Sequence, residues 1–159
     1  MTITRIISGG QTGADQAGLA AAKELGLATG GWMPAGWRTD EGSRPDFQEL
    51  YGMIEDSFRG YASRTARNVH YADATLIFGN KDSPGCRLTE NLAFESGKDI
   101  CWIGWQSGAP VPNVEFFQNW LKKPNREIKT LNVAGNRERT NPGIFLACKT
   151  FLIAALKDQ

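Results

Sequence analysis

The sequence predicts an α/β protein, a Rossmann-like three-layer sandwich around a mostly parallel sheet. Short apolar runs at residues 3–7, 74–79 and 99–104 are continuous rather than alternating, the pattern of strands covered on both faces. Stretches with helical spacing separate them, so strand and helix patterns alternate along the chain. Glycine-rich segments at 8–15 and 80–87 sit where strands give way to helices. A chain of 159 residues holds material for one core and not two, so residues 1–159 are expected to form a single domain.

Composition narrows the partners. The chain carries 18 basic and 17 acidic residues, a net charge of +1, which argues against nucleic acid or a membrane surface; any cationic patch has to be local. Cys86, Cys101 and Cys148 are odd in number and widely spaced, which argues against a disulfide framework or structural zinc. His70, the single histidine, leaves no cluster for a metal. Residues 1–5 run directly into the first strand without a basic or apolar leader, and no apolar run approaches a membrane span, so a reducing cytoplasm is the default location.

Taken in order, the strand at 3–7 feeds a helix at 17–27, where Leu19, Ala22 and Leu25 share helical spacing. Residues 28–33 form a short strand stopped by Pro34. Residues 34–60 read mainly as a long loop with an edge strand at 53–57; loops of that length inside a domain are usually functional or disordered. Trp32, Trp37 and Arg38 offer either a stacking surface with a charge or a cover for the sheet edge. A helix at 61–71 sets Ala62, Ala66 and Val69 on one side and Arg64, Arg67 and Asn68 on the other, with His70 at its end and no acid or nucleophile to pair with it.

The strand at 74–79 leads through the second glycine loop to a helix at about 88–96, closed by Gly97. After the strand at 99–104 and a break at Pro110 to Pro112, a helix at 114–122 places Phe116, Phe117, Trp120 and Leu121 at core spacing. A last strand at 128–133 precedes a helix at about 142–156, opened by Pro142, whose inward stripe reads Phe145, Leu146, Lys149, Leu152, Ile153 and Leu156.

The two glycine loops carry the chemistry. The first amides of a helix have no intrahelical partner and the helix dipole adds positive charge, so a strand-to-helix turn can hold a phosphate or another anion. Gly9, Gly10 and Gly13 allow close backbone approach, while Gln11 and Thr12 add polar contacts. The competing explanation is a tight turn capped by Thr12 or Asp15. The spacing fits neither the dinucleotide fingerprint nor the Walker loop. In the second loop Ser83, Arg87 and Thr89 can donate to an oxygen, and ordinary capping by Ser83 or Thr89 competes. Loops at the carboxyl ends of neighbouring parallel strands face one crevice. Cys101 and Cys148 read as buried apolar groups, whereas Cys86 lies in a glycine loop where an exposed thiol would be activated, although no base can be named for it.

Five stretches then become recognisable together: 6–15, 31–36, 64–69, 73–77 and 132–137. In their order and spacing they resemble the putative molybdenum carrier family, which is similar to the molybdenum cofactor carrier protein and is grouped with the lonely-guy phosphoribohydrolases and the DNA-processing protein A domain. The resemblance implies a Rossmann-like homo-oligomer that holds molybdenum cofactor (molybdopterin), molybdate or a related phosphorylated small molecule without transforming it, with molybdoenzymes or cofactor-synthesis proteins as partners. It implies cofactor-binding roles for Gly9, Gly10, Gln11, Thr12, Gly13 and Asp15 in the first loop and for Ser83, Gly85 and Thr89 in the second. Arg38 and Arg137 are the candidates for charge neutralisation.

The alternative is a nucleoside-monophosphate phosphoribohydrolase using Glu90 or Asp15. The hydrolase pattern P-G-G-x-G-T-x-x-E, laid on Pro84, Gly85 and Thr89, puts Cys86 and Leu88 at required glycines and Leu92 at the catalytic glutamate. Glu90 lies two positions earlier, roughly 200° around the helix from Leu92, and does not simply substitute.

Overall fold

The computed structural model describes residues 3–159. Its elements begin with β1 (Arg5–Ile7), α1 (Ala14–Glu24), β2 (Ala28–Gly30), β3 (Trp32–Met33), β4 (Arg38–Thr39), β5 (Gly42–Ser43), α2 (Phe47–Tyr51) and β6 (Ile54–Glu55). They continue with α3 (Tyr61–Tyr71), β7 (Ala74–Phe78), α4 (Pro84–Glu95), β8 (Asp99–Ile103), α5 (Val114–Leu121), β9 (Thr130–Gly135) and α6 (Ile144–Leu156).

The central sheet has five parallel strands in the order β2-β1-β9-β7-β8. All five residues of β7 are buried, which is why its sequence is apolar without alternation. Helices α1, α5 and α6 pack together, and α3 packs with α4, so helices flank the sheet in the expected three-layer sandwich. Phe78, Phe117 and Phe151 meet beneath it with ring centroids 5.4 to 5.6 Å apart, contacts worth about 0.5–1.5 kcal/mol each beyond their burial.

The strand order carries a further message. Counted from β9 through β1, β2, β7 and β8, the sheet reads 3-2-1-4-5, the doubly wound order, so the chain is a cyclic shift of that arrangement with its first strand moved to the end. Such a shift requires chain ends that lie together. They do: the Ile3 amide donates to Gln159 Oε1 (2.8 Å), and Gln159 Nε2 donates to the Ile3 carbonyl (3.0 Å).

Three readings from the sequence are corrected. Residues 34–60 do lie mainly outside helix and strand, with β6 inside the expected edge strand, but within them β4 pairs with β5, β6 pairs with β3, and Phe47, Met53, Met33 and Leu19 form a small second cluster that was not expected. Elements two residues long have no readable period. The expected strand at 28–33 is divided at Gly31 between two sheets. In α6 the buried residues are Ile144, Cys148, Phe151, Leu152, Ala155 and Leu156, and Leu146 is 67% exposed; in a helix apolar almost all round, packing against α1 and α5 chooses the face. Phe116 is likewise exposed, while Phe117, Trp120 and Leu121 are buried.

The third correction positions the site. Helix α3 buries Thr65 and Asn68 along with Val69 and exposes Ala62 and Arg67, so its inward face mixes the two expected sides. Asn68 explains the choice. Its Oδ1 accepts from the Trp32 N–H (3.0 Å) and its Nδ2 donates to the Trp32 carbonyl (3.1 Å), tying α3 to β3.

Candidate functional site

The loop from Ser8 to Gly13 is buried throughout and differs from the open cradle expected of it. The Gly10 N–H donates to Ser8 Oγ (3.2 Å), that of Gln11 to Asp15 Oδ2 (3.2 Å) and that of Thr12 to Gln11 Oε1 (2.9 Å). At the start of α1, the Ala14 N–H donates to the Asn136 carbonyl and the Gln16 N–H to that of Gln11. These amides are occupied by the chain's own acceptors, with the Asp15 carboxylate in the place where an external anion was expected. The glycines admit protein, too. A Cβ on Gly9 would overlap the Arg64 guanidinium, one on Gly10 would meet Met33, and one on Gly13, at φ 84°, would strike the backbone of residues 136–138.

What is open is a cleft of about 90 Å³ beside this loop. Five predicted residues line it: Gln11, Asp15, Gly85, Thr89 and Arg137. Gly9, Gly10, Thr12 and Gly13 are buried outside its lining, and Ser83 faces a separate pocket with Asn80 and Asn136. In the second loop Ser83 is the cap: α4 begins at Pro84 and Ser83 Oγ accepts from the Cys86 N–H (3.3 Å), while Thr89, inside the helix, donates its hydroxyl back to the Gly85 carbonyl (3.0 Å). Glu90 is exposed and lines another pocket with Phe94 and Lys98.

Sequence reasoning missed Tyr61, Arg64 and Thr65, which α3 brings to the cleft. Around the Tyr61 ring the guanidinium groups of Arg38, Arg64 and Arg137 stand 5.2, 5.4 and 5.0 Å from its centroid. Asp15 lies 3.8 Å from Arg64 Nη1, and Asp40 lies 2.8 Å from Arg137 Nη1 and 3.7 Å from Arg139 Nη2. Four guanidinium groups thus face two carboxylates, a local excess of positive charge on a chain that is nearly neutral overall. The motif at 64–69 was the available signal, since an arginine and an asparagine four apart on a short helix share one face.

Burial pushes the Asp15 carboxyl above the usual carboxylate range, opposed by Arg64, the Gln11 N–H and Arg137. Burial also pulls Arg64 down, opposed by Asp15. Both charges are therefore held at a desolvation cost that their loose contact offsets in part. Donors are in surplus as well. Gln11 Oε1 accepts from the N–H groups of Thr12 (2.9 Å) and Asp40 (2.8 Å), which fixes the side-chain amide and leaves its buried Nε2 without a partner. Arg38 Nε, Arg64 Nε and Thr12 Oγ1 are also buried without partners among the described residues. An unmet buried donor costs about 1–3 kcal/mol, which an acceptor entering the cleft would recover at Gln11 and Arg64, the two of these residues that line it.

Cys86 is buried, and Asn136 Nδ2 approaches its sulfur at 3.8 Å. Burial pushes its thiol up, pushes Cys101 up to about 12 and raises Cys148 further. All three cysteines are expected to resist a disulfide reagent at pH 8 in the folded protein and to react once it is unfolded in guanidinium. Rapid labelling of Cys86 in the folded state would contradict this placement. Among the described residues no group of three or more His, Cys, Asp or Glu side chains is placed to hold a metal ion.

A cyclically shifted doubly wound sheet, with a donor-rich, cationic cleft at the carboxyl ends of its strands, defines a Rossmann-like α/β protein. The chain belongs to the circularly permutated YpsA SLOG family, whose model matches residues 6–156. It is similar to a solved structure described as a putative molybdenum carrier protein from Syntrophus aciditrophicus SB, at 33% identity and a TM-score of 0.83, over 98% of this chain and 95% of the other. No curated protein matches it.

Proposed function

We propose that the protein binds and carries a phosphorylated or oxyanion-bearing small molecule, with molybdenum cofactor as the leading ligand, and seats its anionic end among Gln11, Arg64 and Arg137. The observation that carries this reading is the convergence of three guanidinium groups on Tyr61 beside buried, unpartnered donors. Oxygen acceptors suit that donor set. At about 90 Å³ the cleft takes one oxyanion group, well below the 300–1,000 Å³ of a site for a whole drug-sized ligand, so the rest of the molecule would lie along the rim. Similarity to a described molybdenum carrier supports the choice of ligand.

Anaerobic equilibrium dialysis against molybdenum cofactor tests the proposal. Retention by the native protein, and its loss in Arg64→Leu, are expected; no retention by the native protein would end the carrier reading. The exposed Leu146, beside an apolar groove of about 580 Å³, offers a surface for the homo-oligomer or for a recipient molybdoenzyme, to be read by sedimentation.

A hydrolytic reading survives through Asp15, the carboxyl that lines the cleft, and not through Glu90. Glu90→Gln is expected to leave ligand retention unchanged within about twofold, as for a surface change away from the site. A tenfold loss would relocate the site to the far side of α4.

A further inference from the structure

A carboxylate at the centre of an anion site needs a reason. We infer that Asp15 makes the cleft selective for a tetrahedral oxyanion that brings a proton with it, a phosphate group, over the proton-free sulfate and molybdate. This rests on the oxyanion site proposed above and names the end of the ligand that enters it.

Donors and acceptors decide what the carboxylate admits. An ionised carboxylate only accepts hydrogen bonds, so a bare oxyanion oxygen facing it gains nothing and is repelled, whereas a P–OH can donate to it. The Asp15 carboxylate accepts the Gln11 N–H at 3.2 Å and is also faced by the Gly9 N–H, which hold it in place; a carboxylate has about four acceptor sites, so capacity remains for a guest. A cleft of about 90 Å³ lined by Asp15 itself brings the guest's oxygens close to the carboxylate. Gln11 Nε2, Arg64 Nε and Arg137 then serve the remaining oxygens.

The groups facing Asp15 leave the proton to it and the guest. From α3 come Arg64 and Tyr61, from the segment after β9 comes Arg137, and Cys86 and Cys148 approach from α4 and α6. Guanidinium groups keep their protons, and these thiols are raised away from neutrality. Inorganic phosphate retains one proton well above pH 8, a phosphate monoester loses its second near pH 6, and sulfate and molybdate have none at neutral pH.

Titration calorimetry with inorganic phosphate, sulfate, molybdate and phenyl phosphate, at pH 5.5 and pH 8, tests this on the native protein and on Asp15→Asn. At pH 8 phosphate is expected to bind at least about tenfold tighter than sulfate or molybdate, the value of one charge-assisted hydrogen bond. Phenyl phosphate should weaken by about tenfold between pH 5.5 and pH 8 while inorganic phosphate changes little. In Asp15→Asn the side-chain amide donates to any oxyanion, and the discrimination should vanish. Binding of all the anions without discrimination, or discrimination that persists in Asp15→Asn, overturns this inference alone. Should that variant not fold, the pH contrast between phenyl phosphate and inorganic phosphate in the native protein decides, and its absence overturns the inference. Failure of every anion to bind overturns the oxyanion site and this inference with it.

Discussion

Gly13→Ala is expected to destabilise the protein by about 3 kcal/mol or more, the combined effect of a forbidden backbone conformation and overpacking. Gly13 has φ 84° and ψ −128°, and its missing Cβ faces Asn136, Arg137 and Glu138 backbone atoms that cannot yield independently. Because the Ala14 N–H is bonded to the Asn136 carbonyl, forcing the two segments apart also breaks the junction between the first loop and the end of β9. Gly9→Ala supplies the contrast. Its new methyl would meet the end of a flexible side chain, so stability should fall by only about 1 kcal/mol while Arg64 is displaced and oxyanion binding weakens. Urea midpoints of the two variants, with calorimetry on Gly9→Ala, check the pair. Equal stability losses would mean that the loop is more pliable than its packing indicates.

Arg64→Leu should remove oxyanion binding by at least about 30-fold, since it deletes a charged donor at the centre of the cleft. It should also destabilise the fold by about 3 kcal/mol at pH 8, because it leaves Asp15 as an uncompensated buried charge. The pH dependence has a definite sign. The Asp15 carboxyl is already raised in the folded state, so its protonated form favours folding at low pH and that contribution is lost as pH rises through the folded value. Without Arg64 the value climbs further, and the variant should be clearly less stable at pH 8 than at pH 5. Adding Asp15→Asn should recover most of the loss at pH 8. A single variant with equal stability at both pH values, or a double variant no better than the single, would show that Asp15 and Arg64 are not coupled.

The outline of the site was legible in parts. Gln11 and Thr89 were named from strand-to-helix junctions and Asp15, Gly85 and Arg137 from the family resemblance, and they meet in one cleft because parallel strands direct their carboxyl ends to one side. Arg64 was visible in its motif, yet no local rule says which polar residues of a helix turn inward. That orientation comes from Asn68 bonding to the backbone of Trp32, 36 residues earlier in the chain. The chemistry of the first loop was misread for a similar reason: glycine content reports that something comes close, and only the assembled structure shows that Arg64, Met33 and the Asn136 segment do so.

By itself, the sequence determined the alternation of strands and helices, the continuous burial of β7, and the placement of glycine turns at strand ends, because each depends on neighbours within a few residues. Tertiary structure alone decided that β9 lies between β1 and β7, that α3 turns Thr65 and Asn68 inward, and that a buried carboxylate sits where a guest was expected. These depend on contacts between distant segments, whose energies have no signature in the local pattern of residues.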